Sequence, residues 1–230
     1  MKLPAIKKVS FIGAQIMIFL YITVNAQEVK DFDGNIYKTS AYGRQVWTAS
    51  NLNVSHFRNG DIIPEAKTAE EWIIAAKSGR PAWCIYENLP ENCSNYGKLY
   101  NWFAINDPRG LATDGWNIAA NADWMTLVNN LLGVDVAGTK LKSATGWKSK
   151  KGTDNIGFSA LPGGYRNQEG KFNEIGETAQ WWSNSEPVEI TPSGKIYTVK
   201  LSDNSFEVSY VQSEKGEGFS VRCVKKIDEF

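Results

Sequence analysis

The chain contains a single histidine, His56, and three cysteines, Cys84, Cys93 and Cys223. One histidine can serve at most one Ser-His-Asp triad, and its surroundings, NVSHFRNGD, show no pattern that would support one. His56 therefore reads as a surface loop residue. The cysteines show neither CxxC spacing nor a Cys/His pattern for zinc. Close carboxylates occur at Glu70/Glu71 and Glu174/Glu177, but among 25 acidic residues such pairs arise by chance and do not define a glycosidase. Asp31, Asp33 and Asn35 resemble the opening of a calcium loop, yet the Gly and distal Glu spacing that such a loop needs is missing. Asp107, Asp114 and Asp154 are candidates for a loop calcium ion and read more simply as turn residues. There is no Walker loop, dinucleotide fingerprint or GxSxG elbow. No catalytic residue is predicted, an enzyme is not expected, and calcium is the one cofactor kept in view.

The remaining chemical signal is aromatic. The chain has nine Trp and nine Tyr, and Trp181-Trp182 stands beside Ser183, Asn184 and Glu186. Neighbouring residues of a strand point to opposite faces, which places one indole in the core and leaves the other available outside. An exposed indole beside polar groups suits a sugar ring, whose C–H face is apolar and whose hydroxyls need hydrogen bonds. Tyr165, Arg166 and Asn167 would line the same surface. The predicted ligand-binding set is thus Tyr165, Arg166, Asn167, Trp181, Trp182, Ser183 and Glu186. The competing reading packs both indoles under loops.

Composition sets the bounds within which these residues act. The 230 residues are 42% apolar and 22% charged, which excludes global disorder and fits one domain. Lys+Arg and Asp+Glu both number 25, so there is no basic footprint for nucleic acid. Lys2, Lys7 and Lys8 precede an uncharged apolar run over 9–24, and Val24 and Ala26 occupy the −3 and −1 positions before Gln27. This is the layout of a cleaved signal peptide, residues 1–26. The run is short of the roughly 20 residues needed to span a bilayer. Gln27 is not a cysteine, so a lipoprotein anchor is not expected. Cleavage removes three lysines and no acid, leaving a mildly acidic secreted chain, 27–230, read as a single domain. An oxidising compartment permits one disulfide. Cys84–Cys93 would contribute about 2.5 kcal/mol and Cys84–Cys223 about 5 kcal/mol in the chain-entropy model, and spacing alone does not choose between them.

The elements that must position these groups follow from periodicity. Asp33-Gly34 predicts a hairpin over 29–39, with a further strand over 44–48. Thr68 and Glu71 form a capping box before a helix over Ala69–Lys77, and Gly79 and Pro81 end it. A strand is expected over 82–86 and a helix over 96–105, opening near Asn95. A third helix, over 122–132, has Asn121 as N-cap and Trp124, Leu127, Val128 and Leu131 as its apolar stripe, with Gly133 as its stop. One more turn is expected over 137–142. Three alternating segments, 196–201, 206–211 and 219–224, predict a late antiparallel meander with one buried side. The class is α+β: two or three helices, a small antiparallel sheet and long irregular loops.

Eight ordered strings give the chain a wider resemblance: DFDGNIYKT, QVWTASNLNV, RNGDIIP, YGKLYNWFAINDPRGLATDGW, ADW, GFSALPGGYRN, WWS and GFSVRCVK. Together they resemble the Fibrobacter succinogenes major paralogous domain, an exported family, from about Val29 to Lys226. That family in turn resembles the C-type-lectin-like fold of the formylglycine-generating enzyme group. The resemblance implies helices packed on a small twisted antiparallel sheet and a ligand-bearing loop region over 145–186. It also tilts the disulfide toward Cys84–Cys223, with Cys84–Cys93 as the alternative, because relatives carry cysteine at those two positions. The copper chemistry of that enzyme group needs two late cysteines, and only Cys223 is late. The function expected is a non-catalytic binding module of the cell surface or envelope, recognising a glycan or a protein. The alternatives are a structural or assembly component of the envelope, or an unrecognised hydrolase.

Overall fold

The computed structural model describes residues 28–185 and 194–227. The signal segment 1–26 and Glu186 lie outside the described residues. Gly34, at φ 88°, turns β1 (Val29–Lys30) onto β2 (Ile36–Tyr37). β3 (Thr39–Tyr42) and β4 (Gln45–Thr48) form the next hairpin, with Gly43 at φ 59° in its turn. α1 (Ala69–Lys77) begins at the expected box: the Glu71 N–H donates to Thr68 Oγ1 at 3.1 Å, and the Glu71 carboxylate accepts from the Thr68 N–H at 2.9 Å. β5 (Trp83–Cys84) and a 3-10 turn over Tyr86–Asn88 lead to α2 (Pro90–Tyr96), β6 (Leu99–Tyr100) and α3 (Trp102–Ile105).

The helix expected over 96–105 forms only in its last turn, α3; α2 ends at Tyr96 and β6 takes Leu99–Tyr100. Gly97 at φ 73° stops α2, and a β-carbon there would lie 2.9 Å from the Leu52 carbonyl oxygen. The chain is pressed against its neighbour at that point in a conformation glycine alone adopts readily. The rest follows as β7 (Asn117–Ile118), α4 (Asn121–Asn130), α5 (Val134–Leu141), β8 (Gly163–Arg166), β9 (Phe172–Ile175), β10 (Thr178–Trp182), β11 (Ile196–Ser202), β12 (Val208–Ser213) and β13 (Cys223–Lys226). The described residues thus hold five α-helices, more than the two or three expected, because α2 and α3 are short. Ala120, not Asn121, is the N-cap of α4; the Asp123 carboxylate takes the Ala120 N–H at 3.0 Å. None of these helices is long and apolar enough to cross a membrane.

The strands pair antiparallel, in the orders β10-β11-β12 and β3-β4-β13-β7, with β1-β2, β5-β6 and β8-β9 as separate ribbons. The late meander is therefore β10 to β12. β13 leaves it and inserts between β4 and β7, with Val224 opposite Trp47 and Cys223 opposite Ile118. The segment 219–224 is buried on both sides. Phe219, Val221 and Cys223 enter one apolar cluster with Phe57, Tyr100, Trp102 and Trp182. Val224 enters another with Trp47, Trp124, Trp147, Phe158 and Trp181. A smaller cluster under α1 gathers Trp72, Cys84, Tyr86 and Leu99.

Three buried cations tie the irregular segments to these cores. Arg222 donates to Asn51 Oδ1 at 2.8 Å and to the carbonyls of Thr48 at 2.6 Å and Phe158 at 3.0 Å, with its guanidinium 4.4 Å from the Phe158 ring. Arg166 donates to the carbonyls of Gly170 at 3.0 Å and Ala66 at 2.6 Å, over Trp72 and Phe172. Lys142 donates to the carbonyls of Lys150, Ser202 and Ser205, over Trp147. Burial lowers the Lys142 pKa to about 8 and that of Arg222 to about 9.

The expected disulfide is not formed: Cys84, Cys93 and Cys223 are all free. Neither Cys84–Cys223 nor Cys84–Cys93 is paired, because each thiol has its own surroundings. Cys84 lies beneath α1, Cys223 sits in the cluster with Tyr37 and Phe57, and Cys93 Sγ is 3.0 Å from Asn53 Oδ1. Burial pushes the Cys84 and Cys223 thiols up to about 12.

Candidate functional site

Three turns meet on one face. The first is the β1–β2 turn with Phe32 and Asp33. The second, 57–60, is closed by the Gly60 N–H donating to the Phe57 carbonyl at 2.9 Å, with Gly60 at φ 90°. The third, 107–110, has the Gly110 N–H on the Asp107 carbonyl at 2.9 Å, and its Gly110 carbonyl takes the Arg58 N–H at 2.8 Å. An extended segment precedes the second turn, and Ile63 returns against it through its N–H to the Ser55 carbonyl at 2.8 Å.

Asp33 clamps the first turn to the second. One of its oxygens accepts from His56 Nδ1 at 2.5 Å and the other from the Ser55 N–H. Burial acts to raise the Asp33 pKa, but the Ser55 N–H and His56 outweigh it, so the carboxyl sits below its ordinary range. Against a carboxylate, Nδ1 of His56 is the nitrogen that donates, which leaves Nε2 outside this contact. Asp31, behind it, accepts from Asn35 and from the Tyr37 hydroxyl at 2.5 Å. Lys98 braces the same strand from inside, donating to the Asn53 carbonyl at 2.8 Å and Ser55 Oγ at 2.6 Å over the Trp83 ring. Burial lowers the Lys98 pKa.

Phe32 lies on top. It is 57% exposed, more than any other aromatic ring among the described residues. On its inner side it has two neighbours: its ring is 5.5 Å from that of His56, and it packs on Gly60, where a β-carbon would stand 2.9 Å from its Cζ. Ile62, 71% exposed, pairs with His56 across the second turn. Around this platform the charges are already partnered. Arg109 takes both oxygens of Asp107 at 2.8 Å and Asp61 at 3.0 Å, and lies over the Phe57 ring. The Arg109 hydrogen bonds hold the Asp107 and Asp61 carboxyls below their ordinary range and raise the arginine itself. Arg58 faces Asp114 at 3.6 Å. The Asn59 amide bonds to Asp61 in both directions at 3.1 Å. The surface offers an exposed ring, an imidazole edge, amides and paired ions, which is the equipment for holding a neutral, hydroxyl-bearing ligand.

The residues singled out from the sequence lie elsewhere and do not assemble an exposed aromatic surface. Trp181 and Trp182 do point to opposite faces, but each face is a core. Trp181 Nε1 donates to Asn51 Oδ1 at 2.9 Å and Trp182 Nε1 to the Tyr100 carbonyl at 2.7 Å, and both rings are buried. Ser183 and Arg166 are buried too. Tyr165 is half-buried against Phe219, and Asn167 accepts from the Lys171 N–H across the β8–β9 turn. Of the calcium candidates, Asp107 and Asp114 are engaged by arginines, and Asp154 bonds the Ser159 N–H and hydroxyl at 2.7 Å each. The described residues contain no group of three or more metal-ligating side chains. In the sequence Asp33-Gly34 and His56 stand as separate features, 22 or more residues apart. The available signal was a lone Phe between two aspartates beside a glycine turn.

Over residues 41–225 the chain matches the family model described as the Fibrobacter succinogenes major domain. Phe32 and Asp33 precede that span, whereas His56, Asn59, Asp61 and Arg109 fall inside it. No curated protein and no solved structure matches the chain.

Proposed function

We propose that this chain, which belongs to the Fibrobacter succinogenes major domain family, is an exported binding module that holds a neutral glycan of the cell surface or envelope on the Phe32–His56 platform. The observation that carries the reading is that Phe32 is the most exposed aromatic ring described and packs on Gly60 with His56 beside it. Contact with these neighbours already orders part of the ring, which limits the entropy lost on binding. The sugar's apolar face stacks on Phe32 while its hydroxyls reach His56 Nε2, Asn59 and Asp61. Export rests on the segment 1–26, with its lysines, apolar run and small residues before Gln27. The C-type-lectin-like architecture is part of the same proposal. It is supported by helices α4 and α5 beside small antiparallel sheets, and by a last strand, β13, that returns to pair with the early β4.

A glycan array probed with the 27–230 chain and its Phe32→Ala variant tests the reading. Neutral polysaccharides are expected to retain the native chain and to lose the variant. Retention of both alike, or of neither, removes the reading.

A further inference from the structure

The 57–60 turn is the tip of a small hairpin with two unlike faces. The Phe57 N–H donates to the Asp61 carbonyl and the Ile63 N–H to the Ser55 carbonyl, both at 2.8 Å, so the rung between them, His56 opposite Ile62, is of the non-hydrogen-bonded kind. Facing residues of such a rung stand closest, with α-carbons about 4.5 Å apart and both side chains on one face. Alternation puts Phe57 and Ile63 on the opposite face, and both are buried. His56 and Ile62 therefore share the outer face. Phe32 lies over that same face, its ring 5.5 Å from the His56 ring and packed on Gly60 at the tip.

The apolar surface thus does not end at Phe32. Ile62, 71% exposed, adds a second contact beside the imidazole. A pyranose covers about the area of one phenyl ring, so a single sugar seated on Phe32 leaves Ile62 bare. The ions alongside are spent on one another, Arg109 with Asp61 and Asp107, and favour a ligand without charge.

We propose that the platform binds two successive residues of a β-1,4-linked neutral glycan, one ring on Phe32 and the next on Ile62, with His56 adjoining both. The inference rests on the reading of the platform as a neutral-glycan site, and adds to it a minimum ligand, a second contact residue and a linkage. Both contacts lie on one face of one hairpin, so both sugar rings must turn an apolar face the same way. Equatorial bonds at both ends of each β-1,4-linked glucose ring give a flat, extended chain whose rings do so. An α-1,4-linked chain coils and carries the second ring away. All-equatorial hydroxyls leave C–H groups on both ring faces and point sideways, toward the Asn59 amide and the Asp61 carboxylate.

The test is calorimetric titration of the 27–230 chain with methyl β-glucoside, cellotetraose and maltotetraose. Cellotetraose is expected to bind about tenfold more tightly than the glucoside, the gain that partial burial of one further apolar side chain supplies. Maltotetraose should bind no more tightly than the glucoside. Ile62→Ser should weaken cellotetraose about fivefold and leave the affinity for the glucoside where it is. Ile62→Leu, which keeps the apolar area, should retain cellotetraose. The side chain at 62 is mostly in solvent, so neither change should disturb the fold. Failure of cellotetraose to bind, equal affinity for cellotetraose and the glucoside, equal affinity for the two tetraoses, or indifference to Ile62→Ser overturns the proposal. Each of these leaves the platform reading standing where Phe32→Ala still abolishes retention of neutral glycans on the array. Cellotetraose binding that survives Phe32→Ala unchanged removes both.

Discussion

Asp33 Oδ1 lies 2.5 Å from Nδ1 of His56, 23 residues further along the chain. The contact joins two glycine turns and presents Phe32 between them. The Asp33 carboxyl is held below its ordinary value of 3.8 despite its burial. A carboxylate whose pKa is lower folded than unfolded contributes stability that is complete above the unfolded value and is lost as pH falls through the lowered one. The protection factor of the Ser55 amide, which donates to Asp33, should therefore fall below about pH 4, once exchange is corrected for its intrinsic pH dependence. The same amide should exchange faster at neutral pH in Asp33→Ala. Protection of Ser55 that is flat through the acid range would contradict the clamp.

Among the described residues Arg222 has no carboxylate partner and is satisfied by carbonyls and the Asn51 amide oxygen. Arg222→Met keeps the stem but strands those acceptors, so urea denaturation should show a loss of about 3 kcal/mol. Arg222→Lys should recover little, because an ammonium lacks the planar fork that reaches three acceptors. A methionine variant as stable as the native chain would show that the cation is dispensable.

One position inside a helix and one just past a helix end should respond against the usual sign. Gly138 lies inside α5, where Ala normally stabilises by about 1 kcal/mol. Here its β-carbon would stand 2.3 Å from the Phe206 carbonyl oxygen, so Gly138→Ala should lower the melting temperature. Leu132 is 76% exposed at φ 81°, a conformation that penalises a side chain. Leu132→Gly should be neutral or stabilising by up to about 1 kcal/mol. Thermal melts of both variants decide the matter.

The thiols give a direct count. Ellman titration of chain never exposed to reductant should find three thiols after denaturation. Before it, Cys93 alone should react readily, because Cys84 and Cys223 are buried and their pKa values lie near 12. A single thiol after denaturation would mean that a bridge has formed.

Local chemistry was legible in the sequence; layering was not. Thr68 and Glu71 announced α1, and Trp124, Leu127, Val128 and Leu131 announced the buried stripe of α4. The alternation at Trp181-Trp182 was also sound, but it could not reveal that both faces of β10 are covered, because that depends on segment 219–224 passing between two clusters. Gly97 falls inside the helix expected over 96–105, and its close approach to Leu52 makes it the break between α2 and β6. The platform was hidden for the same reason as the layering. Asp33 and His56 are ordinary residues of two separate turns until the fold brings them together.

The central claim is that Phe32 is a landing surface for a neutral sugar, and its own ring resonances report on it most directly. Titrating the chain with the neutral oligosaccharide retained on the array should shift the Phe32 ring and His56 Nε2 signals together, saturably, and Phe32→Ala should weaken binding about tenfold. Saturable binding that leaves the Phe32 ring signals unmoved would contradict the account.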